Sequence, residues 1–515
     1  QRFDSSLMQI PRTIVFGIAI ASACVGFNMK AVDHEVNWEA GVTGAAGNND
    51  FAPYYIASNR HGVITQSKSA IVRGHIWHDM DTASRFSYGY GADLIAGYGS
   101  NVDYLRYDGN DNVWAQNPQH PSRFWIQQLY GEVKYGGVFL TVGLKEHGSA
   151  LLNNELSSGD FVESGNARPI PEVRAGFIDF QDIPFTKGWV QIQGELSYGK
   201  FTDNAWMRNH FNYYGGHLNQ GALYTYKRCY FRTKPSKPFS VTVGMQVGSM
   251  FGGNTDYYSA GKIYMSKELS KSFSQFFKML IPKDEGKEYV SGSALGCWDI
   301  HMRYRLRNGM EIKAYLQKPW EDGSGIGFLN GFDGLWGLEF SANRRAIVSG
   351  AVVEYLDFTN QSGPFHWDPD DFSNTTITGR AEGGDNYYNN HEYNGYQYYG
   401  MSIGTPFLRS PIYNQNGIME FTNNLVRGFH IGIKGEVGKD FSYRVLGGYR
   451  RSWGTPFMPL LNPASDTSMM FEGTYNVSRV PGLSVNAQIA FDHGELYGDN
   501  FGACLTVKYR GLLKL

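Results

Sequence analysis

The chain has 515 residues and a formal net charge of −2, too even a balance for the basic field that nucleic acid binding requires. Charged residues make up 18%, below the roughly 25% of ordinary soluble domains, while aromatics reach 15%, with 34 Tyr, 33 Phe and 63 Gly. Mean hydropathy is only −0.37, which is also what a chain shows when apolar and polar residues alternate and cancel within each strand.

At the N-terminal end, Arg12 precedes an apolar run, Thr13 to Gly26. The run falls short of the roughly 20 residues a spanning helix needs and has the length of a secretory h-region. Ala21-Ser22-Ala23 supplies small residues for cleavage. Residues 1–31 therefore read as a targeting segment, 32–66 as a short periplasmic N-terminal segment and 67–515 as the main body.

That body is a succession of period-two segments. Leu129 to Tyr135 turns at Gly136-Gly137 and returns as Phe139 to Lys145, a tight hairpin whose glycines tolerate positive φ. Val190, Ile192, Gly194, Leu196 and Tyr198 alternate with Gln191, Gln193, Glu195 and Ser197; Val241, Val243, Met245 and Val247 alternate with Ser240, Thr242, Gly244 and Gln246. Between Ser266 and Ile281 the period changes, and Leu269, Phe273, Phe276, Phe277 and Leu280 share one helical face, a short amphipathic helix at a loop or barrel mouth. Further alternation runs through Ile300–Leu306, Tyr443–Arg450, Phe471–Ser478, Ser484–Asp492 and Phe501–Arg510. The longest loop, Asp357 to Tyr393, has no apolar period. Strands of this length cross a bilayer when tilted, at about 9–11 residues each. No blade repeat marks a propeller. The expected fold is all-β: a transmembrane antiparallel β-barrel with an even number of strands, about 16–18, and long loops on one side.

Two constellations stand out. His301, Arg303, Arg305 and Arg307 alternate with Ile300, Met302, Tyr304 and Leu306. Arginine facing lipid costs about 2–4 kcal/mol at the midplane, so this basic ladder is expected to face the lumen. It either attracts acidic sugars or anions, or it forms structural ion pairs with Glu132, Glu195, Glu311 and Glu472. The long loop offers Trp367, Tyr387, Tyr388 and Tyr393 beside Asp385 and Asn386, rings to stack on sugars and polar groups to take hydroxyls. Its alternative is a self-packed loop that plugs the barrel mouth. Asp368, Asp370 and Asp371 lack EF-hand spacing. The four cysteines, Cys24, Cys229, Cys297 and Cys504, show no zinc-ligand spacing and allow one disulfide or none. No nucleophile motif or cofactor fingerprint is present, so catalysis, metal and cofactor are not expected.

Several strings occur together in order: Ala52-Pro53-Tyr54-Tyr55-Ile56-Ala57-Ser58-Asn59; Glu321-Asp322-Gly323-Ser324-Gly325; Asp333-Gly334-Leu335-Trp336-Gly337-Leu338-Glu339; Asn360-Gln361-Ser362-Gly363-Pro364 with His366; and Gly383-Gly384-Asp385-Asn386-Tyr387-Tyr388-Asn389-Asn390. Tyr398-Tyr399-Gly400, Ile403-Gly404-Thr405-Pro406, Ser410-Pro411-Ile412-Tyr413-Asn414 and Leu496-Tyr497-Gly498-Asp499-Asn500-Phe501-Gly502 continue the set. Together they resemble the capsule-assembly Wzi family of gram-negative outer membranes. The resemblance implies an 18-stranded outer-membrane barrel whose extracellular loops largely close the lumen. It also implies a lectin-like, non-enzymatic role in holding capsular or other surface polysaccharide. The expected partners are that glycan and outer-membrane lipid, with the barrel standing as a monomer. A diffusion porin with an anion-preferring lumen is the competing expectation.

Overall fold

In the computed structural model of the protein, the described residues are 35–280, 292–321, 323–364, 366–367 and 381–514. Eighteen antiparallel strands close into one barrel. They are β1 (Glu35–Gly47), β2 (Ser69–His78), β3 (Phe86–Gly99), β4 (Phe124–Tyr135), β5 (Val138–Leu144), β6 (Glu172–Phe177), β7 (Val190–Lys200), β8 (Leu223–Thr233) and β9 (Phe239–Phe251). The second half comprises β10 (Ser293–Arg305), β11 (Glu311–Trp320), β12 (Gly334–Ser341), β13 (Gly350–Asp357), β14 (Val426–Val437), β15 (Phe441–Gly454), β16 (Pro459–Asn476), β17 (Leu483–Gly494) and β18 (Asn500–Lys514). Gln181–Asp182 adds a short extension that also pairs with β7. Each strand pairs with its neighbours in sequence, and β1 seals the cylinder by pairing with both β2 and β18, where Val42 faces Val72 on one side and Val507 on the other. Closure leaves no free sheet edge, the condition for a sheet to cross lipid.

The alternation seen in the sequence sorts residues to the two sides of this wall. Outside, Val42, Val72, Ile126, Leu338, Val353, Ile489 and Leu505 are all at least two-fifths exposed, a band that would be untenable in water and is satisfied by hydrocarbon. Exposed Phe86, Tyr135, Phe239, Tyr304 and Tyr475 edge this band towards one end, and Tyr98, Phe124, Phe429 and Phe501 towards the other, the placement of interfacial aromatic girdles. Inside, Asp93, Gln246, Asp299, Gln317, Glu354 and Arg450 have no solvent exposure. Polar wall residues that dry out inside a barrel must be covered by chain, and they are.

Two expectations need correction. Of the segment 32–66, the described residues from Glu35 on are not a periplasmic appendage: β1 (Glu35–Gly47) is part of the wall. Its outward face, Trp38, Ala40, Val42, Gly44 and Ala46, is too small-residue-rich to show a clear apolar period. Residues 48–68 then form a loop at the end opposite Glu35 and Lys514, and its single helical turn α1 (Tyr54–Ala57) is buried inside the cylinder. The amphipathic helix is shorter than its sequence period: α2 (Asn204–His210) is a separate helix, and α3 (Phe273–Leu280) starts only after Lys262–Leu269, a strand paired with Gly253–Ser259. Among the described residues Cys229, Cys297 and Cys504 are free. Cys24, the targeting segment and Asp368, Asp370 and Asp371 lie outside the described residues.

Candidate functional site: a filled lumen beneath an aromatic outer face

Connections at the end bearing Glu35 and Lys514 are short, such as Gly136-Gly137 and residues 438–440; those at the other end include residues 145–171, 201–222 and 358–425. The first of these and the described residues 383–425 of the last fold inward. Phe161 and Val162 meet Tyr387, Tyr388, Tyr396, Ile403 and Phe407 in one buried cluster that also takes in wall residues Tyr224, Tyr226, Cys297, Tyr315 and Leu356. Tyr388 donates its hydroxyl to the Phe161 carbonyl at 2.5 Å and accepts from the Thr405 amide at 2.8 Å. Tyr387 donates to Asp333 Oδ2 at 3.1 Å and accepts from Asn330 Nδ2 at 2.9 Å.

This placement decides between the two readings of the long loop. Tyr387, Tyr388 and Tyr393 are at most 2% exposed. Asp385 is buried and accepts from the Ser362 hydroxyl at 2.5 Å, while half-buried Asn386 accepts from Asn424 Nδ2 at 2.6 Å. Each buried aromatic contributes about 1.5–3 kcal/mol, so extracting them to stack on a sugar would cost more than the stack returns. These five residues are interior packing, not an open platform. The backbone of Trp367 pairs with that of Ala381, and its side chain lies outside the described residues.

The filling is tied to the wall by buried polar contacts. Arg174 on β6 holds Glu163 of the inserted loop through two nitrogens, at 2.7 and 3.0 Å, and also bonds Glu172 at 2.7 Å and Glu195 at 3.0 Å. Gln246 donates to Asp160 at 2.8 Å and to Asp299 at 3.0 Å, and Glu354 accepts from the Ser158 amide at 2.7 Å. Burial, followed by the charge of Asp299, pushes the Asp160 carboxyl up to about 7. Arg450, wholly buried, stands with its guanidinium carbon 3.7 Å from the ring centre of Tyr54 and 5.0 Å from that of Phe407, a cation–π clamp joining loop 48–68 to the long connection.

The basic ladder resolves as ion pairing. Arg303 and Arg305 both bond Glu311, at 2.9 and 2.7 Å, and Arg303 also donates to the Pro235 carbonyl at 2.6 Å. His301 is buried, stacks on Tyr315 with centroids 5.5 Å apart and lies 3.7 Å from Asp299. Arg307 departs from expectation: β10 ends at Arg305, so Arg307 sits exposed in the following turn, not on the lumenal face. Glu132, Glu195 and Glu472 have cationic partners in Lys145, Arg174 and Arg444.

An open aromatic surface does exist, on residues the sequence reading passed over. The hairpin Val102–Asp108 and Val113–Gln119, at the long-loop end, places Tyr107 opposite Trp114. Tyr214, preceding the strand Gly215–Gln220, completes a triad with ring centroids 5.0–5.2 Å apart. Trp114 and Tyr214 are each 47% exposed. Arg106 lies over the neighbouring Tyr213 ring at 4.9 Å, and Asn110 and Asn112 in the hairpin tip are exposed. The local signal is legible afterwards: Asp108-Gly109-Asn110-Asp111-Asn112 is a turn between two alternating runs. The triad itself needs a third element from another loop, which no local pattern reveals.

No protein-family model matches the sequence, and no curated protein sequence matches it. Among solved structures, the fold is similar to Wzi, described as an outer-membrane protein involved in group 1 capsule assembly in Escherichia coli and a carbohydrate-binding β-barrel. The TM-score is 0.55 at 12% identity, over 91% of this chain and 83% of that one. OccAB2 of Acinetobacter baumannii matches at TM-score 0.45 and 9% identity, over 93% of this chain and 98% of that one. At these identities the likeness shows the fold: an outer-membrane β-barrel.

Proposed function

We propose that this protein is a lectin-like outer-membrane barrel of the Wzi type, which binds surface polysaccharide, capsular or related, and helps anchor or assemble it at the cell surface of a gram-negative bacterium. The observation that carries the reading is the exposed Tyr107–Trp114–Tyr214 face at the long-loop end of a barrel whose lumen is packed with its own chain. Aromatic faces offer the apolar faces of sugar rings a flat partner, while Asn110, Asn112 and Arg106 stand close enough to take hydroxyls or acidic substituents. The likeness to a carbohydrate-binding barrel supports the reading by analogy of fold. Binding, not turnover, is the assigned role; lipid solvates the outer band, and a closed barrel of this kind can stand as a monomer. Against the porin alternative, Arg303 and Arg305 share Glu311, which reduces the positive charge an anion-preferring lumen would use. The test is removal of the protein from its host, with polysaccharide assayed on cells and in the medium. Glycan shed into the medium at unchanged total synthesis supports the proposal, and an unchanged distribution rejects it.

A further inference from the structure

Within the barrel, the loop 48–68 and the inserted segment 145–171 leave a chamber of about 330 Å³ between them. Asn59, His61, Glu146, His147, Asn154 and Ser157 line it, together with Ser149 and three glycines, and no apolar side chain contributes. We propose that this chamber is a binding site for a neutral, polyhydroxylated small molecule of about one monosaccharide, separate from the outer aromatic face.

Size comes first. A water occupies about 30 Å³ of liquid, so the chamber exceeds a bridging-water pocket by an order of magnitude, and it falls at the lower end of the roughly 300–1,000 Å³ of small-molecule sites. The glycines maintain this shape. A Cβ at Gly148 would meet Asn154 Oδ1 at 2.4 Å, at Gly159 it would meet Asn59 Oδ1 at 3.0 Å, and at Gly165 the His61 ring at 3.1 Å. Any side chain there would displace the polar groups that line the space.

Charge gives the ligand class. Every charged group at the wall has an opposite partner. Glu146 accepts from Arg73 at 3.2 Å and from Gln127 at 2.8 Å, and lies 3.8 Å from His61; His147 lies 3.1 Å from Glu172, which Arg174 also holds. Burial lowers the affinity of His61 for a proton, so its imidazole is neutral near pH 7. An ion entering would lose hydration without gaining an uncompensated counter-charge. A neutral polyol loses little, because hydroxyls replace water bond for bond.

Two residues of the chamber wall are held rigidly by their surroundings. Asn59 Oδ1 and His61 Nδ1 are buried with no partner among the described residues. Asn59 is otherwise committed, its amide to Asn166 Oδ1 at 3.1 Å and its Nδ2 to the Ser158 carbonyl at 3.3 Å. Asn59 and His61 both hold positive φ, 53° each. Backbone of that kind is uncommon outside glycine and persists where the surroundings fix it. Backbone fixed in this way keeps Asn59 and His61 in place at the chamber wall.

Titration calorimetry and saturation-transfer NMR on the full-length protein in detergent micelles test this directly, with methyl α-glucoside and galactose as neutral probes and glucuronate and phosphate as anionic ones. The expected result is saturable 1:1 binding of a neutral probe. It should weaken about tenfold in His61→Asn, which keeps a residue tolerant of left-handed backbone but removes the ring, the loss of about one hydrogen bond. Ser157→Val reads the same chamber should His61→Asn fail to fold. Binding should be unchanged in Trp114→Ala/Tyr214→Ala. Absence of saturable binding, tighter binding of the anions, or loss of binding in the outer-face variant each overturns the assignment. None of these outcomes depends on whether polysaccharide is retained by cells.

Discussion

The anchoring of the inserted loop by Arg174 makes a quantitative prediction. Its side chain is 4% exposed, and the carboxylates around it are 11% (Glu163), 4% (Glu172) and 6% (Glu195) exposed, so the cluster is nearly dry. In Arg174→Leu, Glu172 keeps His147 at 3.1 Å and Glu195 keeps Arg228 at 3.0 Å. Glu163 loses the guanidinium that held both its oxygens. Stranding one buried carboxylate costs about 3–5 kcal/mol. Glu163→Gln should cost less, about 1.5–3 kcal/mol, because Arg174 still has two carboxylates to neutralise it. In the double variant Arg174→Leu/Glu163→Gln the stranded charge is gone, so the loss should be smaller than in Arg174→Leu alone. Equilibrium urea unfolding of the micelle-bound protein, followed by circular dichroism, measures all three. A loss under about 1 kcal/mol in Arg174→Leu, the scale of an exposed pair, would refute a dry, filled lumen at this site.

Three further outcomes follow from the same geometry. Asp160 holds its proton to about 7 when folded against 3.8 ordinarily, so its stabilisation is complete below about pH 4 and is lost as pH rises through about 7. Between pH 5.5 and 8.5 the wild-type protein should lose about 2 kcal/mol that Asp160→Asn does not, measured by the same unfolding experiment. Trp114→Ala/Tyr214→Ala should leave stability within about 1 kcal/mol, as at other surface sites, yet weaken binding of host surface polysaccharide to the purified protein about tenfold in a surface-immobilised binding assay. Arg303→Gln/Arg305→Gln should leave cell-bound polysaccharide unchanged and cost no more than about 1 kcal/mol, since both arginines serve Glu311 near the barrel end.

Much of the architecture was legible because a wall between lipid and a polar interior forces strict alternation. Phe501, Leu505, Val507 and Tyr509 point outward on β18 as their period implies, and Cys504 points in. The wall's ion pairs were legible too, because acid and base on inward faces have few other partners in a closed cylinder. β1 was hidden by its own composition: alanine and glycine fit between tightly paired strands but leave no hydropathy contrast. The loops were the hard part. Tyr387 and Trp114 sit in equally polar, glycine-rich surroundings, and one is buried while the other is open. What separates them is whether the barrel has room to take the segment in, a property of the whole cylinder. The outer triad likewise joins positions 107, 114 and 214 across two loops, a proximity that exists only after closure.

Single-channel recording in planar lipid bilayers tests the filled lumen most directly. Purified wild-type protein should insert without the steady, ohmic steps of an open eighteen-strand cylinder, and removal of residues 145–171, one of the inserted segments, should raise its conductance. Large, anion-selective steps from the intact chain would contradict the packed interior and the binding role built on it.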